Sequence, residues 1–247
     1  METVKSIMGC IGVDTSGSVS VLFHMFGFIR ARVPSDPCTT DPAQVSLLSH
    51  INSLQGKHIH LNVIRVGIDN FSADEVDKID YAIYKARNIY RTVSLGVGRV
   101  EHYDVTSADA DGKDDLGSED EAEDLTHDWT VPNNGIDVFV VDNISDSDFV
   151  GISPVGGPCD KNDKDMNGVI GGEVNRSREA VARTFAHEIG HYLGLPHNHG
   201  DDCPSSASGR ANLMAQTRCA DSICDSVVLT SSQGSTMRGH CFVQDGC

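Results

Sequence analysis

At 247 residues and 39% hydrophobic content, the chain is long enough for one large domain, or for a catalytic domain with an extension, and it can bury a sizeable core. Its 19 basic residues against 36 acidic ones leave a net charge of −17, which argues against nucleic acid as a partner and against docking on anionic lipid. No run reaches membrane-spanning length, so no membrane insertion is expected; the most apolar stretch, Val19 to Ile29, contains His24, lacks a basic region before it and makes a poor signal peptide.

Residues 1–55 read as an N-terminal extension or pro-segment: Gly17 to Val33 has strand character, and Pro34-Ser35-Asp36-Pro37 with Asp41-Pro42 breaks it. Lys57 to Ile68 alternates well enough for a strand, on one face of which His58 and His60 read as surface histidines. Ser72-Ala73-Asp74-Glu75 is a capping box, and Val76, Ile79, Ala82, Ile83, Ala86 and Ile89 then share one helical face that should back a sheet. Val93 to Val105 is the next predicted strand.

Asp104 to Asp128 concentrates 11 acidic residues against Lys113 alone and reads as a solvated, partly disordered insertion. Gly135 to Val141 follows as a short apolar strand of the buried kind, and Phe149 to Gly157 as an edge. In Asp160 to Gly168 the spacing Asp163-x-Asp165-x-Asn167-Gly168 matches the opening of an EF-hand loop, with oxygen ligands every second residue. The match stops at residue 174, where Val174 stands in place of the bidentate glutamate. The segment is therefore either a calcium loop of another type or a polar turn.

The predicted active helix begins at Arg176-Ser177 and carries His187-Glu188-Ile189-Gly190-His191-Tyr192-Leu193-Gly194-Leu195-Pro196-His197, an HExxHxxGxxH pattern. Positions i and i+4 lie on one helical face, so His187 and His191 can present two imidazoles to one ion with Glu188 beside it. Gly194 can take the left-handed conformation that ends a helix, and Pro196 cannot continue one, which frees His197 to return as a third ligand. Three imidazoles leave a tetrahedral Zn²⁺ one open position for water, the arrangement of a catalytic site.

This signature resembles that of the metzincin metallopeptidases. The resemblance implies a methionine turn beneath the metal, for which Ala211-Asn212-Leu213-Met214-Ala215 is the candidate, with Met214 as a soft floor and not a ligand. Gln216 stands where some branches have a tyrosine, and HEIGHYLGL looks most pappalysin-like, so the branch is open between pappalysin-like and matrixin-like. By the same resemblance Gly151, Ile152 and Ser153 are a candidate substrate rail, onto which an extended peptide adds as a strand. Thr230 or Ser231 would cap the short C-terminal helix of such domains.

Eight cysteines without a CxxC pair point to disulfides and to secretion; five of them follow the zinc pattern, and their pairing is not readable from sequence. The expected fold is α+β: a metzincin-like catalytic domain with a twisted mixed sheet, a backing helix, an active-site helix ending at a glycine, and a Cys-rich C-terminal subdomain. Its expected divisions are 1–55, 56–197 and 198–247. The expected function is a secreted, monomeric Zn²⁺ endopeptidase acting on protein or peptide substrates, with Glu188 as general base and Ca²⁺ as a second ion. Two other readings stand beside it: a latent zymogen with the first 55 residues in the cleft, and a non-catalytic zinc-binding interaction module on the same scaffold.

Overall fold

The computed structural model describes residues 54–146, 148–161, 166–200, 202–220 and 224–246. Residues 1–53, with the extension and its possible latency role, lie outside these, as do Asp163 and Asp165.

The main sheet runs in the order β2 (Gly96–Val105), β1 (Lys57–Val66), β4 (Gly135–Val141), β6 (Val169–Glu173), all parallel, and β7 (Gln244–Asp245) pairs antiparallel with the start of β1. A central parallel strand is covered on both faces, which is why β4 is buried at every position. One face carries Ile59, Leu61, Val63, Ile136, Val138 and Val140 against α1 (Ala73–Arg91) and α4 (Arg178–Tyr192). The other carries Ile64, Val66, Phe139, Val141 and Ile170 against α3 (Glu119–Asp128).

The capping box at Ser72 and Glu75 is formed, and Ile79, Ala82, Ile83, Ala86 and Ile89 are buried as their spacing requires. Three readings need correction. The acidic stretch is not a loose loop: the one-turn helix α2 (Ser107–Ala110), the short strand β3 (Asp115–Leu116) and α3 order it. Ser118 caps α3, three acidic residues sit in its first turn where the helix dipole favours them, and Ala122 and Leu125 are buried beneath. β3 pairs with β5 (Asn143–Ile144).

His58 and His60 are also buried, not on the surface, with ring centroids 5.1 Å apart. Burial pushes the His60 imidazole down to about 4, and its Nδ1 accepts the Arg99 backbone N–H at 3.1 Å. The predicted edge over 149–157 reduces to one antiparallel bridge, Ile152 to Ile170, because Gly151, Pro154, Gly156 and Gly157 interrupt a regular strand.

Past α4, the one-turn helix α5 (Ala207–Arg210) and the capped helix α6 (Ser231–Arg238) build the C-terminal part, α6 with Thr230 as its cap. Disulfides Cys203–Cys219 and Cys159–Cys241 staple it, the second tying it to the segment that follows the Ile152 bridge.

Candidate metal centre

The site is built on α4. Ser177 caps its start by accepting the Ala180 N–H, and its end is a Schellman turn: the Leu195 N–H reaches the Gly190 carbonyl at 3.0 Å and the Gly194 N–H the His191 carbonyl at 2.8 Å. Gly194 has φ +97°, as that turn demands. The reversal brings His197 back so that its Nε2 lies 3.3 Å from Nε2 of both His187 and His191.

Backbone carbonyls set the tautomers of two of these rings. His187 Nδ1–H donates to the Leu213 carbonyl at 2.7 Å and His191 Nδ1–H to the Leu195 carbonyl at 2.6 Å, since a carbonyl can only accept. Both Nε2 atoms therefore carry lone pairs, and burial lowers the affinity of both rings for a second proton, His191 down to about 4. Ligand nitrogens at about 2.0–2.1 Å from a tetrahedral zinc would be about 3.3 Å apart, so the spacing fits the ion. Among the described residues this is the one His/Cys/Asp/Glu group with metal-ligand geometry.

Glu188 is buried, and burial pushes its carboxyl up to about 8 while the Arg183 guanidinium pulls it down. A bound dication would lower it further. Met214 is buried under the helix, its Sδ 2.8 Å from where a side chain on Gly190 would start, so any larger residue before His191 would have to displace the thioether. The methionine turn is tied to the third histidine by the Asn198 N–H, which reaches the Met214 carbonyl at 3.0 Å, and its own N–H rests on Asn212 Oδ1 at 2.9 Å.

The rail candidates lie against the same helix. Ile152 exchanges both backbone hydrogen bonds with Ile170, and a Cβ on Gly151 would stand 2.5 Å from Thr184 Cγ2 and 2.9 Å from Glu188 Cγ. Farther along, Gly156 and Gly157 donate to the carbonyls of His191 and Tyr192. Ser153 keeps its hydroxyl local, on the Pro154 carbonyl. Of the calcium candidates, Asn167 is buried with its side-chain amide 3.2 Å from His127 Nδ1, and the Tyr192 hydroxyl donates to its carbonyl.

Sequence reading overlooked Arg183, Gly190 and Asn212. Gly190 had a signal, a glycine inside a helix on the metal-facing stripe; the partners of Arg183 and Asn212 lie too far along the chain to be read.

Comparison with known proteins agrees with this geometry. Metallo-peptidase family M12 (Reprolysin_5) matches residues 67–234. A zinc metalloproteinase/disintegrin from Bitis gabonica is 44% identical over 64 residues, 26% of this chain and 18% of that protein. Metalloproteinase-II from Bacteroides fragilis aligns over 75% of this chain and 53% of its own, with a TM-score of 0.50 at 14% identity, a likeness of fold alone. Archaemetzincin from Methanopyrus kandleri covers 74% of this chain at a TM-score of 0.43 and 12% identity, too slight a likeness to argue from. The chain thus spans about half of the Bacteroides protein and a smaller part of the Bitis relative. With the family matched across most of the described residues and its zinc signature folded as a converging histidine triad, the chain belongs to metallopeptidase family M12, a metzincin-type metallopeptidase.

Proposed function

We propose that this chain is a secreted, monomeric zinc endopeptidase that hydrolyses peptide bonds in extended protein or peptide substrates. The observation that carries the reading is the convergence of three Nε2 atoms, two of them held with their lone pairs exposed to the centre, beside one buried carboxyl group. Zinc, when held by His187, His191 and His197, supplies a Lewis acid that polarises the scissile carbonyl and acidifies water. Glu188 takes the proton of the attacking water and returns it to the leaving amine. Burial raises its proton affinity while the Arg183 guanidinium and a bound dication lower it, opposing influences that suit a group that must both accept and give a proton.

Gly151, Ile152 and Ser153 hold the substrate in this reading. Because Ile152 spends both backbone groups on Ile170, the alternation of an antiparallel ladder turns those of Gly151 and Ser153 to the opposite side, where a peptide can pair. Residues 56–197 form the upper subdomain and 198–247 the lower one with the methionine turn, while residues 1–55 are an extension or pro-segment. Disulfides Cys159–Cys241 and Cys203–Cys219 support an oxidising, extracellular location. Calcium at Asp163, Asp165 and Asn167 belongs to the same reading; its test is a rise in Tm with added calcium that Asp163→Asn with Asp165→Asn abolishes.

The test of the function is cleavage of a denatured protein by the zinc-loaded chain, its loss on chelation and its return with stoichiometric zinc. Zinc-loaded protein that cleaves neither denatured protein nor peptides, before or after trimming of the first 55 residues, would leave the non-catalytic reading in its place.

A further inference from the structure

Arg183 heads the largest fully buried side chains among the described residues, and the chemistry above makes no use of it. It stands one helical turn before His187, on the stripe of α4 that faces the C-terminal part. Its Nε donates to the Ser226 carbonyl at 3.1 Å and its Nη1 to the Thr217 hydroxyl at 3.1 Å. Its Nη2 donates to the carbonyls of Leu213, at 3.1 Å, and Ala215.

All four acceptors are neutral, so this is a costly place for a cation. Burial pushes the guanidinium down to about 10, with Glu188 pulling the other way. What the arrangement achieves is geometric. Leu213 and Ala215 flank Met214, so one fork grips the backbone on both sides of the methionine turn. The Leu213 carbonyl, with two lone pairs, takes the Arg183 Nη2–H and the His187 Nδ1–H together.

We propose that Arg183 is a positioning residue for the metal centre: its fork fixes the backbone around Met214 and, through the Leu213 carbonyl, the ring plane and tautomer of His187. The proposal rests on the zinc reading of the triad. Groups that orient a metal ligand from behind set both affinity and geometry, and the planar fork makes lysine a poor substitute.

Cobalt(II), whose visible absorption reports ligand geometry, is the probe. Wild type, Arg183→Lys and Thr217→Val would be compared for cobalt affinity by chelator competition, for the cobalt spectrum, for Tm, and for kcat and KM on one peptide. Arg183→Lys should bind cobalt about ten- to a hundredfold more weakly, with altered absorption bands, and lose kcat more than KM. Thr217→Val, which removes one acceptor at a half-buried position, should shift the same quantities in the same direction by a few-fold. A lowered Tm with unchanged cobalt affinity and spectrum in Arg183→Lys would reduce Arg183 to a structural cross-link and overturn the proposal; if that variant does not fold, Thr217→Val decides on the same readouts. A wild type that binds no cobalt at the triad would instead overturn the zinc reading itself.

Discussion

Gly151→Ala is the substitution that most sharply probes the packing of the proposed rail on α4. The added methyl would lie 2.5 Å from Thr184 Cγ2, 2.9 Å from Glu188 Cγ and 2.9 Å from the Ile170 carbonyl. Carbon atoms rest about 3.5–4.0 Å apart, so relief needs a displacement of about 1 Å, shared between helix and rail. The Ile170 carbonyl belongs to β6 and accepts the bond from Ile152, so the sheet side yields least. Overpacking of this kind costs about 1–3 kcal/mol of stability, and a misplacement of about 1 Å at a reacting group costs about a hundredfold in rate. Zinc content should stay stoichiometric because Glu188 is not a ligand. The assay is Tm, bound zinc and kcat/KM on one purified preparation. Wild-type kcat/KM in Gly151→Ala would refute the placement of the rail against Glu188.

Other perturbations test the scaffold. Lys85 and Glu179 form a buried pair at 3.2 Å that joins α1 to α4, with the Tyr81 hydroxyl also on Glu179; Glu179→Ala should cost about 3–5 kcal/mol in denaturant unfolding by stranding the ammonium, and Lys85→Met with Glu179→Leu should recover most of it. Asn212 exchanges side-chain amide bonds with Gln233 at 2.9 and 3.0 Å while holding the Met214 N–H, so Asn212→Ala should lower stability by about 1–3 kcal/mol and loosen zinc, read as Tm with and without the metal. For pH, His60 is held down to about 4 from 6.5, first by burial, then by His58 and Arg99. The unfolded chain takes up that proton first, so the contribution is complete above pH 6.5 and is lost as the pH falls toward 4; His60→Gln should flatten unfolding free energy against pH in that window.

The convergence of His187, His191 and His197 was legible because its geometry is local: i and i+4 on a helix, then a glycine whose positive φ turns the chain back within six residues of His191. The capping box at Ser72 was legible for the same reason. Acidity misled over 104–128, since the charge count hid Ser118 as a cap and Ala122 with Leu125 as a buried stripe. Alternation misled at His58 and His60, because a strand with a covered second face buries its polar set as well. Arg183 was out of reach: its acceptors lie 30 to 43 residues away, and only the folded backbone brings those carbonyls to one side.

The most direct test of the whole account measures bound zinc and peptide cleavage together in wild type, His191→Ala and Glu188→Gln. The account predicts one zinc with cleavage, loss of both, and one zinc without cleavage, in that order. Cleavage by zinc-loaded Glu188→Gln at the wild-type rate, or full zinc in His191→Ala, would contradict it.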